Sequence, residues 1–239
     1  MWFLNVMSGL GRIRHSRLDR PIGRVVRRQG RRALRLEMLE HRHLLSIDLV
    51  SAAASGEIGN AGGTTGHTGD TAYNPAVIST DGRYVAFTSG STNLVENDAN
   101  GQTDVFVKDL QTGTVTLVSV TSTGVQGDKK SSEPSISGDG RYVVFESSAT
   151  NFGFGDTGSR AHVYLKDLVT GDLSVLDRDL EGRLDRHSSG TCCISSDGRY
   201  AAFESDANNL VEGDTNKAGD IFVVNLQTGE RTLAGTDNS

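Results

Sequence analysis

"ISTDGRYVAF", Ile78 to Phe87, returns as "ISGDGRYVVF" from Ile136 to Phe145 and as "ISSDGRYAAF" from Ile194 to Phe203. Asp81, Asp139 and Asp197 stand 58 residues apart, and Asn93, Asn151 and Asn209 keep that interval. So do Gly66, Gly124 and Gly182, and Gly113, Gly171 and Gly229, which sets three gapless copies at 66–123, 124–181 and 182–239. A period of this length marks a repeat architecture and constrains the fold before any single strand is read.

In the first copy, residues 75–79 (PAVIS) and 83–89 (RYVAFTS) flank a Thr-Asp-Gly turn, and 104–110 (DVFVKDL) and 114–120 (TVTLVSV) flank Gln-Thr-Gly. Asp-Gly between apolar runs predicts a hairpin, because glycine accepts the positive φ that tight turns demand. Each copy therefore reads as four short strands. The middle strands are apolar on both faces, as in Val85, Ala86 and Phe87 and in Val105, Phe106 and Val107, the pattern of a sheet covered on both sides. One such sheet is not stable alone, and repetition lets each cover its neighbour. Four-stranded sheets repeated radially are the blades of a β-propeller, with a solenoid of stacked sheets as the alternative. The expected class is all-β, with three consecutive four-stranded antiparallel blades forming a partial or half propeller.

Charge divides the chain. Met1 to Leu45 carries 11 Arg and no Lys against 3 acids, leaving 13 basic residues against 27 acids in the remainder, so a head of about +8 precedes a body of about −14. Residues 1–55 read as a basic targeting segment, disordered or helical, and 56–65, rich in Gly and Thr, as a flexible linker. An acidic body excludes nucleic acid as the expected partner, since phosphate binding needs clustered Lys and Arg. Cations or basic partners suit it. No stretch reaches the roughly 18 apolar residues of a membrane-spanning helix. Cys192 and Cys193 are adjacent, too close for a relaxed disulfide, and read as small packing residues.

"NPAVISTDGRYVAFTS…NLVENDANGQTDVFVKDLQTG" and its later copies resemble the TolB-like, WD-type propeller repeat of bacterial periplasmic and surface proteins, over residues 66–239. That resemblance implies a platform for binding, with no particular reaction attached. "LRLEMLEHRHLLS", Leu34 to Ser46, resembles the LEPR-XLL type motif of bacterial surface proteins through Glu37, Glu40, Arg42, Leu44 and Leu45. It implies export to the periplasm, the cell surface or beyond. Asp48 breaks the apolar run that a standard secretory signal would carry after it.

Loops are where chemistry is expected. Asp98, Asn100 and Asp104 in the first copy, and Asp214, Asn216 and Asp220 in the third, occupy relative positions 1, 3 and 7, a spacing that can wrap oxygen ligands around a hard cation, here read as calcium. The bidentate glutamate of an EF-hand is missing, and Asx turns within the loop are the other reading. In the second copy Asp156 persists, Gly158 replaces the Asn and His162 the closing Asp, so this loop is expected not to bind.

No G-x-S-x-G pentapeptide occurs. Asp81, Asp139 and Asp197 read as turn formers, and Arg83, Arg141 and Arg199 as bridges between neighbouring blades or as solvated side chains. The expected function is a non-enzymatic scaffold binding a protein or surface ligand; a TolB-like translocation component and a propeller enzyme of polysaccharide lyase or hydrolase type are the alternatives. Closed propellers typically have 4–8 blades. An arc of three leaves two sheet faces bare, each forgoing roughly 10 kcal/mol if about 400 Å² of apolar surface stays wet at ~25 cal/mol per Å². Either two chains pair into a six-bladed ring, or the chain is a piece of a longer reading frame.

Overall fold

The computed structural model describes residues 49–60, 76–155, 158, 160–184 and 187–234. The Leu34–Ser46 motif and residues 61–65 of the expected linker lie outside the described residues.

The fold is all-β and consists of three four-stranded antiparallel sheets, each drawn from one copy of the repeat. Blade one is β1 (Val77–Ile78), β2 (Tyr84–Ser89), β3 (Asp104–Asp109) and β4 (Val115–Leu117). Blade two is β5 (Ser131–Ile136), β6 (Tyr142–Ser147), β7 (His162–Asp167) and β8 (Leu173–Val175); blade three is β9 (Ser189–Ile194), β10 (Tyr200–Ser205), β11 (Asp220–Asn225) and β12 (Arg231–Leu233). Within each sheet the strands neighbour one another in chain order. β1 and β4 are shorter than the sequence pattern predicts, because the chain beyond Leu117 leaves the ladder for the connection to the next blade, where Val120 bridges Gln126.

The Asp-Gly turns form as predicted. Gly82 and Gly140 both sit at φ 73°, and Gly198 at 67°. Asp81 caps its turn, its Oδ1 accepting from Ser79 Oγ at 2.5 Å and from the Arg83 amide at 2.9 Å; Asp139 and Asp197 repeat both bonds.

The blades are layered along their inner strands. β5 packs on β1, β2 and β3, and β9 on β5, β6 and β7. Alternation along each middle strand sends one residue to each neighbour. Ala86, Val105 and Val107 of blade one meet Val143, Phe145 and Tyr164 of blade two, while Val144 and Val163 meet Phe203 and Phe222 of blade three. This is the two-faced burial that the apolar middle strands predict. Turns and rings also interlock between blades. The Thr80 amide donates to Gly138 O at 3.1 Å and the Gly138 amide to Ser196 O at 2.8 Å, and Thr80 Oγ1 and Ser196 Oγ lie 2.8 Å apart. These are one repeat position in three copies, joined end to end.

Residues 49–60 also join the fold. Ala52 bridges Ile58 as Val120 bridges Gln126 and Arg178 bridges Leu184 in the connections between blades. Asn93 accepts from the Asn60 amide at 2.8 Å and donates to Ile58 O at 3.0 Å, as Asn151 does with Asp128 and Gln126. Lys108 Nζ donates to Leu49 O and Ala52 O, both at 3.0 Å, and Lys166 Nζ to Val120 O, Thr121 O and Gly171 O. Val50 packs against the Phe87, Leu94, Phe106 and Val115 cluster on the outer side of blade one. Within the expected linker, Ile58 and Asn60 are bound through their backbone by the Asn93 amide, and the Gly56 and Gly59 amides donate to Ala53 O and Ser51 O.

Candidate functional site

Antiparallel order places the β2–β3, β6–β7 and β10–β11 loops, with the connections between blades, at one end of the sheets, and the Asp-Gly turns and β3–β4-type hairpins at the other. The two ends differ in chemistry.

At the turn end, charges serve the fold. Arg83 forks onto Asp109 through Nε at 3.1 Å and Nη2 at 2.7 Å, and Arg141 onto Asp167 in the same way. Each guanidinium also lies over the next ring, 4.8 Å from Tyr84 and 4.7 Å from Tyr142. The sequence reads these arginines as bridges between neighbouring blades or as solvated side chains; Arg83 and Arg141, though partly exposed, each join the first turn of a blade to the second hairpin of the same blade, because both turns emerge at one sheet end. Arg199 keeps the stacking on Tyr200 at 5.6 Å, but Asn225 stands where Asp109 and Asp167 do. The Arg141 guanidinium holds the Asp167 carboxyl down at about 2, with the Val169 and Thr170 amides assisting. Asp167 is thus depressed relative to an unfolded carboxyl near ~3.9, so its contribution is complete above about pH 4 and is lost as pH falls through about 2. Urea midpoints of the full chain should fall over that window, and Asp167→Asn should flatten the fall.

At the loop end, the structure brings Asp98, Asn100 and Asp104 together. Asp104 is fully buried; its Oδ1 accepts from Ser119 Oγ at 2.6 Å and its Oδ2 from Asn100 Nδ2 at 2.8 Å. Asn100 also fixes the loop, accepting from the Gln102 amide at 2.9 Å and donating to Gly127 O at 3.0 Å. An Asx turn is formed here by Asn100, whereas the sequence reading places such turns at Asp98 and Asp214. Asp98 is 8% exposed, and its Oδ1 is buried with no hydrogen-bond partner among the described residues. Burial, with the charge of Asp104 added, pushes the Asp98 carboxyl up to about 6; burial also raises Asp104, against the hydrogen bonds from Ser119 and Asn100.

The third copy repeats the arrangement. Asn216 Nδ2 donates to Asp220 Oδ1 at 3.2 Å, and the Ala218 amide to Asn216 Oδ1 at 3.0 Å. Asp220 Oδ2 and both carboxyl oxygens of Asp214 are buried and lack a partner among the described residues. The backbones agree as well: Asn97 and Gly213 share one left-handed position at φ 66° and 84°, and Gly101 and Lys217 another at 63° and 57°.

The second copy departs. Asp156 lies outside the described residues. His162, fully buried, has Nδ1 2.8 Å from Asp177 Oδ2, and Asp177 is itself 2% exposed. Asp177 occupies the repeat position of Ser119, so the acid has moved from the third strand to the end of the fourth while its partner became a histidine. Among the described residues no three His, Cys, Asp or Glu side chains cluster as a metal centre. Each acidic loop offers two carboxylates and an amide.

One acidic feature spans two copies of the repeat. Glu146, Glu204 and Asp206 line an open cleft of about 240 Å³ between blades two and three, together with Ser188, Ser189 and Gly190. Glu146 is raised by burial and then by Glu133. Glu146 and Glu204 hold one repeat position, 58 residues apart, which in blade one is Thr88, and the blade-one position of Asp206 is Gly90. Cys192 donates its thiol to Glu133 O at 3.3 Å beside it, while Cys193 is exposed, and both are free.

Three radially layered four-stranded sheets, joined by connections at an acidic end, define a protein of the β-propeller class. Among solved structures the chain is similar to TolB from Acinetobacter baumannii, with 20% identity, a TM-score of 0.40 and coverage of 70% of this chain and 33% of that one. It is similar also to a putative TolB from Agrobacterium tumefaciens at 13% identity, a TM-score of 0.42 and coverage of 66% and 48%. A third is oligogalacturonate lyase from Vibrio parahaemolyticus, at 16% identity, a TM-score of 0.38 and coverage of 67% and 39%. The chain spans between a third and a half of the length of these proteins. No family model matches the sequence, and neither does any curated protein.

Proposed function

We propose that the chain is a non-enzymatic binding scaffold of the bacterial envelope or cell surface, presenting the loop end of its blades to a protein or other ligand with basic groups. One observation carries this reading: the charged groups at the turn end are engaged within the blades, while the loop end holds an acidic cleft between blades two and three. Asp81, Asp139 and Asp197 cap turns, and Asp109 and Asp167 pair with Arg83 and Arg141. Glu146, Glu204 and Asp206, by contrast, face an open cleft. The motif at Leu34–Ser46 supports export, and no helix among the described residues is long and apolar enough to cross a membrane.

A Lys- and Arg-rich peptide should bind the full chain with an affinity that falls steeply as salt rises, and Glu146→Gln with Glu204→Gln and Asp206→Asn should weaken it at least tenfold. Binding indifferent to those changes removes the reading. Glu146, a half-buried carboxyl that shares an open cleft with Glu204 and Asp206, is the residue on which the enzyme alternative rests, since glycosidases work with paired acids in a cleft. Depolymerisation of a polysaccharide that stops in Glu146→Gln would install that alternative.

The same reading includes a second copy of the chain. Tyr84 lies against the Gly140 turn and Tyr142 against the Gly198 turn. Tyr200 is 40% exposed, and no described atom stands within 4 Å of where a Gly82 side chain would begin. One chain thus carries both halves of an unformed blade contact, and two chains joined head to tail form a six-bladed ring.

A further inference from the structure

We infer that the loops of blades one and three each hold one calcium ion, between Asp98 and Asp104 and between Asp214 and Asp220, and that blade two has exchanged its ion for the buried His162–Asp177 pair. This reading is independent of the basic-ligand proposal and fails separately from it.

The inference rests on unpaired oxygens. Asp98 and Asp220 are each 8% exposed and each carries a carboxyl oxygen buried without a hydrogen-bond partner among the described residues; Asp214 carries two. A buried carboxylate oxygen with no donor is costly, and native proteins satisfy such groups with a partner, water or an ion. Here the burden is doubled, because Asp104, the second carboxylate of the first loop, is fully buried as well. The donors present are too few. Ser119 and Asn100 serve Asp104, and Asn216 serves one oxygen of Asp220. A divalent cation removes both problems at once, compensating two charges and occupying the free lone pairs.

The donor set selects the ion. Carboxylate oxygens are hard ligands, and the loops of blades one and three carry no nitrogen or sulfur ligand beside them, which suits calcium and not zinc or copper. With two carboxylates per site, affinity belongs in the range of extracellular modules, about 10⁻⁴ to 10⁻³ M.

Blade two is the internal comparison. Where blades one and three close the loop with an aspartate, blade two places His162, and the acid appears instead at Asp177, 2.8 Å from the ring. The imidazole gives Asp177 a partner from inside the protein through Nδ1, while its Nε2 is buried without a hydrogen-bond partner among the described residues, as Asp98 Oδ1 and Asp220 Oδ2 are.

Calorimetric titration of the EDTA-dialysed full chain with calcium chloride tests the inference. Two equivalents are expected for the native sequence, one for Asp98→Asn with Asp104→Asn, one for Asp214→Asn with Asp220→Asn, and none for all four together. Gly158→Asn with His162→Asp and Asp177→Ser should add a third. If a variant fails to fold, as judged by far-ultraviolet circular dichroism, the native stoichiometry still decides, and calcium should raise the native melting temperature at millimolar concentration. No binding up to about 10 mM calcium, a number far above the range cited for such sites, overturns the inference. So does a native stoichiometry other than two, or one that the aspartate substitutions leave unchanged.

Discussion

Alanine at position 140 is expected to destabilise the chain by about 3 kcal/mol or more, while the same substitution at the equivalent position 82 costs only about 1 kcal/mol. Both glycines sit at φ 73° in an Asp-Gly turn, so both pay the same conformational strain on gaining a Cβ. They differ in what lies beyond the turn. A Cβ on Gly140 would enter the Tyr84 ring, within 2.7 Å of Cγ and Cε2, whereas one on Gly82 meets nothing within 4 Å. Tyr84 has little freedom to retreat, because Arg83 stacks on it while anchored to Asp109. Gly198 falls between the two, with Tyr142 Cδ2 3.0 Å from its added carbon. Equilibrium urea unfolding of the three variants therefore ranks 140 above 198 above 82. The difference between 140 and 82 isolates the contact between blades from the strain of the turn. Equal losses at 82 and 140 would mean that Tyr84 does not rest on the second turn in solution, and the layered packing of blades one and two would have to be abandoned.

The repeat was legible because its turns need particular residues. Asp-Gly at 81–82, 139–140 and 197–198 is required by the positive φ and by the caps that the aspartates supply, so the period survives in the letters. The apolar middle strands announced covered sheets for a similar reason. What escaped is what the period does not carry. Residues 49–60, LVSAAASGEIGN, match 117–128, LVSVTSTGVQGD, at an offset of 68, and a search at 58 passes over them because the connection into blade one is ten residues longer than the others. The partners of Arg83 and Arg141 lie 26 residues onward, within reach only once both turns are known to share one sheet end. The loop aspartates were visible as oxygen ligands, but their buried, unpaired oxygens are a property of packing. The exchange between His162 and Asp177 became readable only with the β7 and β8 register, which sets the end of the fourth strand beside the start of the third. Glu146 and Glu204 recur at the period of 58, but Thr88 holds their position in blade one, and only the packing of blades two and three brings the two acids and Asp206 to one cleft.

Aspartate at position 163 should unfold the chain under ordinary conditions, at a cost of about 4 kcal/mol or more, whereas aspartate at the equivalent position 221 should change its stability by less than about 0.5 kcal/mol in a single chain. Both residues stand second in the third strand of their blade and point toward the following one. Val163 is fully buried in the cluster with Phe203, Phe222 and Leu210, where a carboxylate finds neither water nor a donor. Ile221 is 44% exposed, and Tyr200, at the other end of the β10–β11 ladder, is 40% exposed. The contrast becomes informative with the state of association. If blade one of a second copy covers this face, the native chain sediments as a pair at about 10 µM, a concentration ordinary for interfaces of this kind, and Ile221→Asp sediments as a single chain of nearly unchanged stability. The proposed pairing is argued from apolar area: a face that buries Val163 completely within the chain presents Ile221 to solvent at the third blade, although Ala202 and Ala234 stand there where blade two has Val144 and Leu176. A native chain that sediments singly would leave the binding scaffold intact and end the six-bladed ring.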